Sequence, residues 1–146
     1  MSEEIDMNKA EIFTFLNANP VFHLATLEGD KPRVRGMLLY RADEKGILFH
    51  TGKMRDLYSQ LTANPHVELS FNNGSAENLV QVRVSGIVEL VEDLELKKEI
   101  VRNRDFLKPF VEQAGYDPLA VYRINNGVAS IWRMQTNLAP KKYVEL

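Results

Sequence analysis

The sequence predicts a mainly β protein of the α+β class, an antiparallel barrel, closed or partly closed, with flanking helices. Three observations predict it. Apolar residues recur at every second position in short runs, clearest at Val67, Leu69 and Phe71 and again at Val80, Val82 and Val84, which is the period of a half-buried strand. Turn chemistry separates the runs, as at Glu28-Gly29-Asp30-Lys31-Pro32 and Asn125-Asn126-Gly127. Helical spacing is confined to a few short segments. Many short strands with few helices suit a barrel, because closure removes exposed sheet edges.

The elements follow in order. Residues 8–19 read as a helix, with Asn8 as its cap and Glu11 in capping-box spacing. Ile12, Phe13 and Leu16 form its apolar stripe, and Asn19-Pro20 stops it. Residues 21–27 and 33–40 read as a hairpin around the turn at residues 28–32. Residues 42–46 make the next turn and 47–51 a third strand, with Ile47, Phe49 and Thr51 on one face. Met54, Leu57, Tyr58 and Leu61 lie at i, i+3, i+4 and i+7, one face of a helix that ends at Asn64-Pro65.

A half-buried strand follows at residues 67–71, then a polar loop at 72–78. Residues 79–91 form the longest strand. Val80, Val82, Val84, Val88 and Leu90 share its inner face, opposite Gln81, Arg83 and Ser85. Gly86 falls inside it and marks a bulge or sharp bend. Residues 92–104 read as a helix carrying Leu94, Ile100 and Val101. Residues 106–115 read as a short helix or irregular turn broken at Pro109. Residues 119–124 and 128–134 flank Asn125-Asn126-Gly127, a hairpin signal. The tail adds a last short strand.

The chain of 146 residues suits one domain, residues 1–146, without internal repeats or linkers. Hydrophobic residues make up 45% and charged residues 26%, as in ordinary soluble proteins. A net charge of −2 exerts no global pull on nucleic acid or anionic membrane, and the strands lack interleaved basic and aromatic residues. The absence of cysteine excludes disulfides and thiolate chemistry. The acidic N-terminus lacks the apolar core of a signal peptide, and no apolar run nears the ~20 residues of a membrane helix. A cytoplasmic protein is expected. The histidines have no metal-ligand spacing, and no metal site is expected.

In this slightly acidic chain one basic stretch stands out. Arg33 and Arg35 have the same parity, so an extended strand points both to one face. Thr51 and Gly52 end the next strand, and Lys53 and Arg55 follow at the mouth of a helix. Cations beside free helix N–H groups suit a phosphate; the same residues would also make an ordinary solvated basic turn.

The blocks FHLATLEGDKPRVRGMLLY, ILFHTGKMRDLYSQLTANPHVELSF and VQVRVSG resemble, in that order, the pyridoxamine 5'-phosphate oxidase-related family of FMN-binding split-barrel proteins. The likeness runs from about residue 22 to residue 86, with a weaker echo in the last strands. It implies an antiparallel Greek-key split barrel and a homodimer with an FMN in each of two clefts between subunits. Arg35 matches the family's strand arginine, and Arg33 shares its face. His50 and Thr51 match a strand-end pair, and Lys53 and Arg55 lie where the family supplies phosphate ligands. Val34, Gly36 and Met54 flank these positions and join the implied cofactor-binding set. Gln81 matches a glutamine that reaches the flavin at the subunit boundary, and Trp132 falls near a family tryptophan beside the flavin. Gln60 reads first as an ordinary helix residue, and the resemblance adds a ribityl or phosphate contact.

The chain also departs from the oxidases. Arg55-Asp56-Leu57 stands where they carry Ser-Arg-Lys, and Tyr40 where a lysine is expected. The Arg-Leu-His block that grips pyridoxal has no counterpart in WRMQTNLAPKKYVEL. Vitamin B6 oxidation is therefore not expected. The first expectation is an FMN-dependent oxidoreductase acting on a small-molecule substrate or electron acceptor, with NAD(P)H as a candidate donor. A flavin carrier or stress-linked flavin-binding protein without turnover is the second class, and haem or deazaflavin binding the third. No catalytic acid or base is singled out, since flavin carries its own redox chemistry.

Overall fold

The computed structural model describes residues 6–146. Helix α1 (Lys9–Ala18) opens with both halves of the capping box, the Asn8 side chain accepting from Glu11 N and the Glu11 side chain from Asn8 N. Strands β1 (Val21–Glu28) and β2 (Lys31–Leu38) pair antiparallel, followed by β3 (Arg41–Asp43) and β4 (Gly46–Gly52). Helix α2 (Asp56–Ala63) leads to β5 (His66–Asn72) and β6 (Val80–Leu90). Helix α3 (Leu94–Asn103), a 3-10 turn (Asp105–Leu107) and α4 (Lys108–Ala114) precede β7 (Leu119–Ile124), β8 (Val128–Arg133) and β9 (Tyr143–Glu145).

The sheet order is β2-β1-β5-β6-β7-β4-β3, with β8 also pairing β6, and β9 pairing β8. Strand β6 is the pivot. Val80 to Ser85 pair with β8, whereas Val88 to Leu90 pair with β7. The bend between them falls at Gly86, where a Cβ would lie 2.6 Å from Ile124 Cγ2; the close approach explains the glycine that the sequence places mid-strand. Among the described residues β2 pairs only with β1, and β3 only with β4. The barrel is thus split between β2 and β4.

The core fills the barrel. Phe22, Phe49 and Phe71 are fully buried; Phe22 stacks on Phe71 at 4.7 Å and meets Phe49 edge-on at 5.8 Å. A smaller cluster of Ile100, Val101, Leu119 and Val121 glues α3 and α4 to the outside of β7. Leu48 is buried like its neighbours Ile47 and Phe49, so both faces of β4 are covered there.

Several expectations need correction. Asn125-Asn126-Gly127 joins no hairpin, because β7 pairs with β4 and β6 while β8 pairs with β6 and β9. The turn, with Asn126 at φ 58, carries the chain from one side of the split barrel to the other. Leu90 and Leu94 are exposed, at 39% and 50%, while Lys97 is buried. The Lys97 ammonium reaches Glu92 Oε2 and the Tyr116 carbonyl, both at 3.3 Å, which satisfies a charge that helical periodicity assigns to no apolar face. Pro109 lies in the first turn of α4 and starts that helix, where its missing N–H has no intrahelical partner to lose. Residues 42–46, read as a turn, include the end of the short strand β3. No helix of the described residues is long and apolar enough to cross a membrane.

Candidate functional site

The split opens into a cleft of about 860 Å³. Strand β2 supplies one wall, the end of β4 and the start of α2 the floor, and the segment from Arg104 to Phe110 the far wall. Of the residues singled out from the sequence, Arg33, Val34, Arg35, Gly36, His50, Thr51, Met54, Arg55 and Gln60 line this cleft. It wraps over the free edge of β2, so residues of both strand faces border it.

Arg35 is the best-anchored cation there. Its Nη1 donates to Thr26 Oγ1 at 2.7 Å and to the Leu24 carbonyl at 3.4 Å, and its Nη2 donates to Gln60 Oε1. Nε–H and one Nη2–H remain without a partner among the described residues. Gln60, read from the sequence as an ordinary helix residue, is buried. It accepts from Thr26 at 2.7 Å and donates to Glu28 Oε2 at 3.2 Å. Glu28 in turn pairs with Arg33 at 2.9 Å. The hydrogen bond from Arg33, then that from Gln60, holds the Glu28 carboxyl below its ordinary pKa. Burial pushes the Arg35 pKa down, partly offset by the charge of Asp56. The glutamine therefore works as a bracket that orients the arginine.

The mouth of α2 adds donors. Arg55 occupies its N-cap position with extended backbone and no side-chain capping bond. The N–H groups of Asp56 and Leu57 have no partner among the described residues, and the Arg55 guanidinium makes no ion pair with any of them. Met54 Sδ folds over Gly52, where a Cβ would lie 2.3 Å from it and would displace this exposed side chain.

Lys53 does not join this group. Its ammonium pairs with Glu92 at 3.1 Å, and its N–H bonds the Pro118 carbonyl at 2.8 Å, outside the cleft lining. Glu92 bridges Lys53 and Lys97; burial pushes its pKa up, but the two lysines outweigh that and hold it below the ordinary value. Gln81 and Trp132 also lie outside the cleft of their own chain. They are register partners on β6 and β8. Gln81 Nε2 donates to Ser70 Oγ and Trp132 Nε1 to Asn137 Oδ1, each at 2.8 Å.

The far wall holds residues the sequence reading missed. Arg104, Phe106, Leu107 and Phe110 line the cleft. Arg104 Nη1 lies 2.7 Å from His50 Nε2, its Nη2 donates to the Leu39 carbonyl at 2.5 Å, and its guanidinium sits 5.2 Å from the Tyr40 ring centroid. A guanidinium only donates, so His50 Nε2 accepts and the imidazole is the neutral Nδ1–H tautomer. The i, i+4 spacing of Phe106 and Phe110 is the signal available in the sequence; a short helix or irregular turn over residues 106–115, helical here over Lys108–Ala114, gives no reason by itself to place the segment at a site.

Burial, and then the Arg104 charge, lowers the His50 pKa from 6.5 to about 4. The unfolded chain therefore protonates at a higher pH than the folded one and holds more protons between those values. Stability must fall as pH drops from 6.5 towards about 4. The urea midpoint is expected to decline through that window, and to decline less steeply in His50→Gln. Parallel slopes in the two proteins would contradict the neutral, half-buried imidazole.

The model of the pyridoxamine 5'-phosphate oxidase family matches residues 9–128. The chain belongs to this family. Within the family, a pyridoxine/pyridoxamine 5'-phosphate oxidase from Gluconobacter oxydans is 42% identical over 67 residues, which are 46% of this chain and 32% of that protein. The matched stretch thus spans about a third of that curated relative. Among solved structures, a NimC/NimA family protein from Clostridium acetobutylicum superposes with a TM-score of 0.74 at 25% identity, covering 94% of this chain and 92% of the other. Two more distant structures share the fold. One is a FAD-binding protein from Mesorhizobium loti (TM-score 0.61, 22% identity, 81% and 88% covered), the other a heme-binding protein from Mycobacterium smegmatis (TM-score 0.74, 16% identity, 97% and 60% covered).

Proposed function

We propose that the cleft binds FMN and that the protein is a flavin-dependent oxidoreductase for a small-molecule acceptor. The observation that carries this reading is the corner formed by Arg35, Arg55 and the uncapped start of α2. It gathers two cations and two free backbone N–H groups in one cleft of a chain whose sequence blocks resemble FMN-binding split barrels. A phosphate dianion needs such donors. Arg35 would hold it from the strand wall, with Gln60 fixing the guanidinium, and Arg55, Asp56 N and Leu57 N from the helix mouth. FMN when bound supplies the hydride and electron transfer; the chain binds it, orients it and shields it from water. FAD is expected to bind much more weakly, because adenylation removes a phosphate charge and adds bulk at this corner.

A haem reading finds less support. Of the three histidines only His50 lines the cleft, and its Nε2 is engaged by Arg104. Absorbance of the purified protein, with mass spectrometry of what it releases on denaturation, tests the cofactor. Steady-state oxidation of NAD(P)H with an added acceptor separates an enzyme from a flavin carrier.

The cleft is complete only in a homodimer under this reading. Val21, Val34 and Leu38 share the outer face of β1 and β2 and are 66%, 69% and 40% exposed. By register, Gln81 and Trp132 lie on the same outer face further across the sheet. A two-fold dimer through this face would cover the apolar residues and bring Gln81 and Trp132 of each protomer to the cleft of the other. Light scattering at micromolar concentration is expected to give twice the chain mass. A monomer that holds flavin would overturn the dimer.

A further inference from the structure

The cleft has two chemically distinct ends. The first is the phosphate corner already described. The second is formed by Arg104, Phe106, Leu107 and Phe110 with His50 opposite. Arg104 is a cation with no carboxylate partner among the described residues. The acids nearby are engaged elsewhere: Glu99 accepts from the Tyr40 hydroxyl at 2.6 Å and from Arg41 at 3.3 Å, and Asp105 pairs with Lys108 at 2.8 Å. The guanidinium is nonetheless fixed, by the Leu39 carbonyl, the neutral His50 and the Tyr40 ring. Partial burial strips it of water and lowers its pKa, partly offset by Tyr40. Two residues on, Phe106 is 64% exposed at the cleft wall, with its ring centroid 6.5 Å from that of His50. A held, partly dehydrated cation beside an exposed aromatic ring suits a flat ligand bearing an anionic group.

We infer that Arg104 and Phe106 form an acceptor subsite for an aromatic carboxylate, with Arg104 binding the carboxylate and Phe106 the ring. This deepens the proposed function and rests on it for the flavin at the other end. His50 bears no charge there and leaves the Arg104 charge for the ligand.

Benzoate and its neutral analogue benzamide, titrated calorimetrically into the full chain with and without saturating FMN, test the subsite. Benzoate is expected to bind about tenfold or more tightly than benzamide. FMN saturation should leave benzoate affinity within about threefold, since FMN fills the other end. Arg104→Gln should weaken benzoate by about tenfold or more, and Arg104→Lys should recover part of the loss. Should Arg104→Gln fail to fold, Phe106→Ala alters an exposed side chain and should still weaken benzoate by several fold. Equal affinity for benzoate and benzamide, no benzoate heat, loss of benzoate binding on FMN saturation, or indifference to both residues would each overturn the subsite. If the same titrations show no FMN binding, the flavin reading fails by itself, while the dependence of benzoate on Arg104 still reads this end of the cleft.

Discussion

Replacing Arg35 by alanine is expected to weaken FMN by about one to two powers of ten while changing riboflavin far less. The reason lies in how the side chain is held. Thr26, Leu24 and Gln60 already fix its guanidinium on the β2 wall, so little rotamer freedom is lost on binding. Arg55 has no such anchors, and Lys53 is drawn out of the cleft by Glu92. Both should cost less than Arg35 when replaced by alanine. Arg35→Lys should recover only part of the loss, because an ammonium lacks the planar fork that grips two phosphate oxygens. Fluorescence titration of the two flavins checks the ranking. Equal losses for FMN and riboflavin would assign Arg35 to the ring or the fold. A larger loss at Arg55 or Lys53 would make the helix mouth the main anchor.

Phe22→Ala should carry the largest stability cost, about 3–5 kcal/mol. The ring is fully buried, stacked on Phe71 and edge-on to Phe49. It lies on β1, the only strand among the described residues that pairs with β2. Truncation would remove its transfer energy, leave a cavity where three strands meet, and loosen the wall that carries Arg35. Urea denaturation measures the loss, and Phe106→Ala provides the comparison. That ring is 64% exposed, so its removal should shift stability by no more than about 0.5 kcal/mol. A cost below about 1 kcal/mol for Phe22→Ala would mean that the site collapses without penalty.

These contrasts show which parts of the chain were legible beforehand. Local chemistry was readable where it acts locally. Asn8 and Glu11 cap α1 through each other, Gly86 marks the bend of β6, and alternation along residues 67–71 and 80–84 marks two core strands. Pairing was harder, because it depends on distant partners. Asn125-Asn126-Gly127 has hairpin chemistry, yet β4 and β6 take the hydrogen bonds of β7, and β6 and β9 take those of β8.

The site divides in the same way. The parity of Arg33 and Arg35 was visible, and both line the cleft. The buried role of Gln60 on α2 depends on Thr26 and Glu28 of β1 and Arg35 of β2 converging on it, which helical spacing cannot reveal. Lys53 looked equivalent to Arg55 until Glu92, far along the chain, claimed its charge. The place of Arg104 and Phe106 at the cleft was not legible, because the packing of α3 and α4 on β7, rather than any motif, brings them there.

The central claim is a phosphate site in the cleft, and a direct comparison of FMN with riboflavin tests it. The two ligands share the ring and ribityl chain and differ in the phosphate alone. Titration of the flavin-free protein by fluorescence quenching should give an FMN affinity higher by about one to two powers of ten, the contribution of a charge-assisted contact. Equal affinity for the two would contradict the account: no phosphate site would exist at Arg35 and the start of α2.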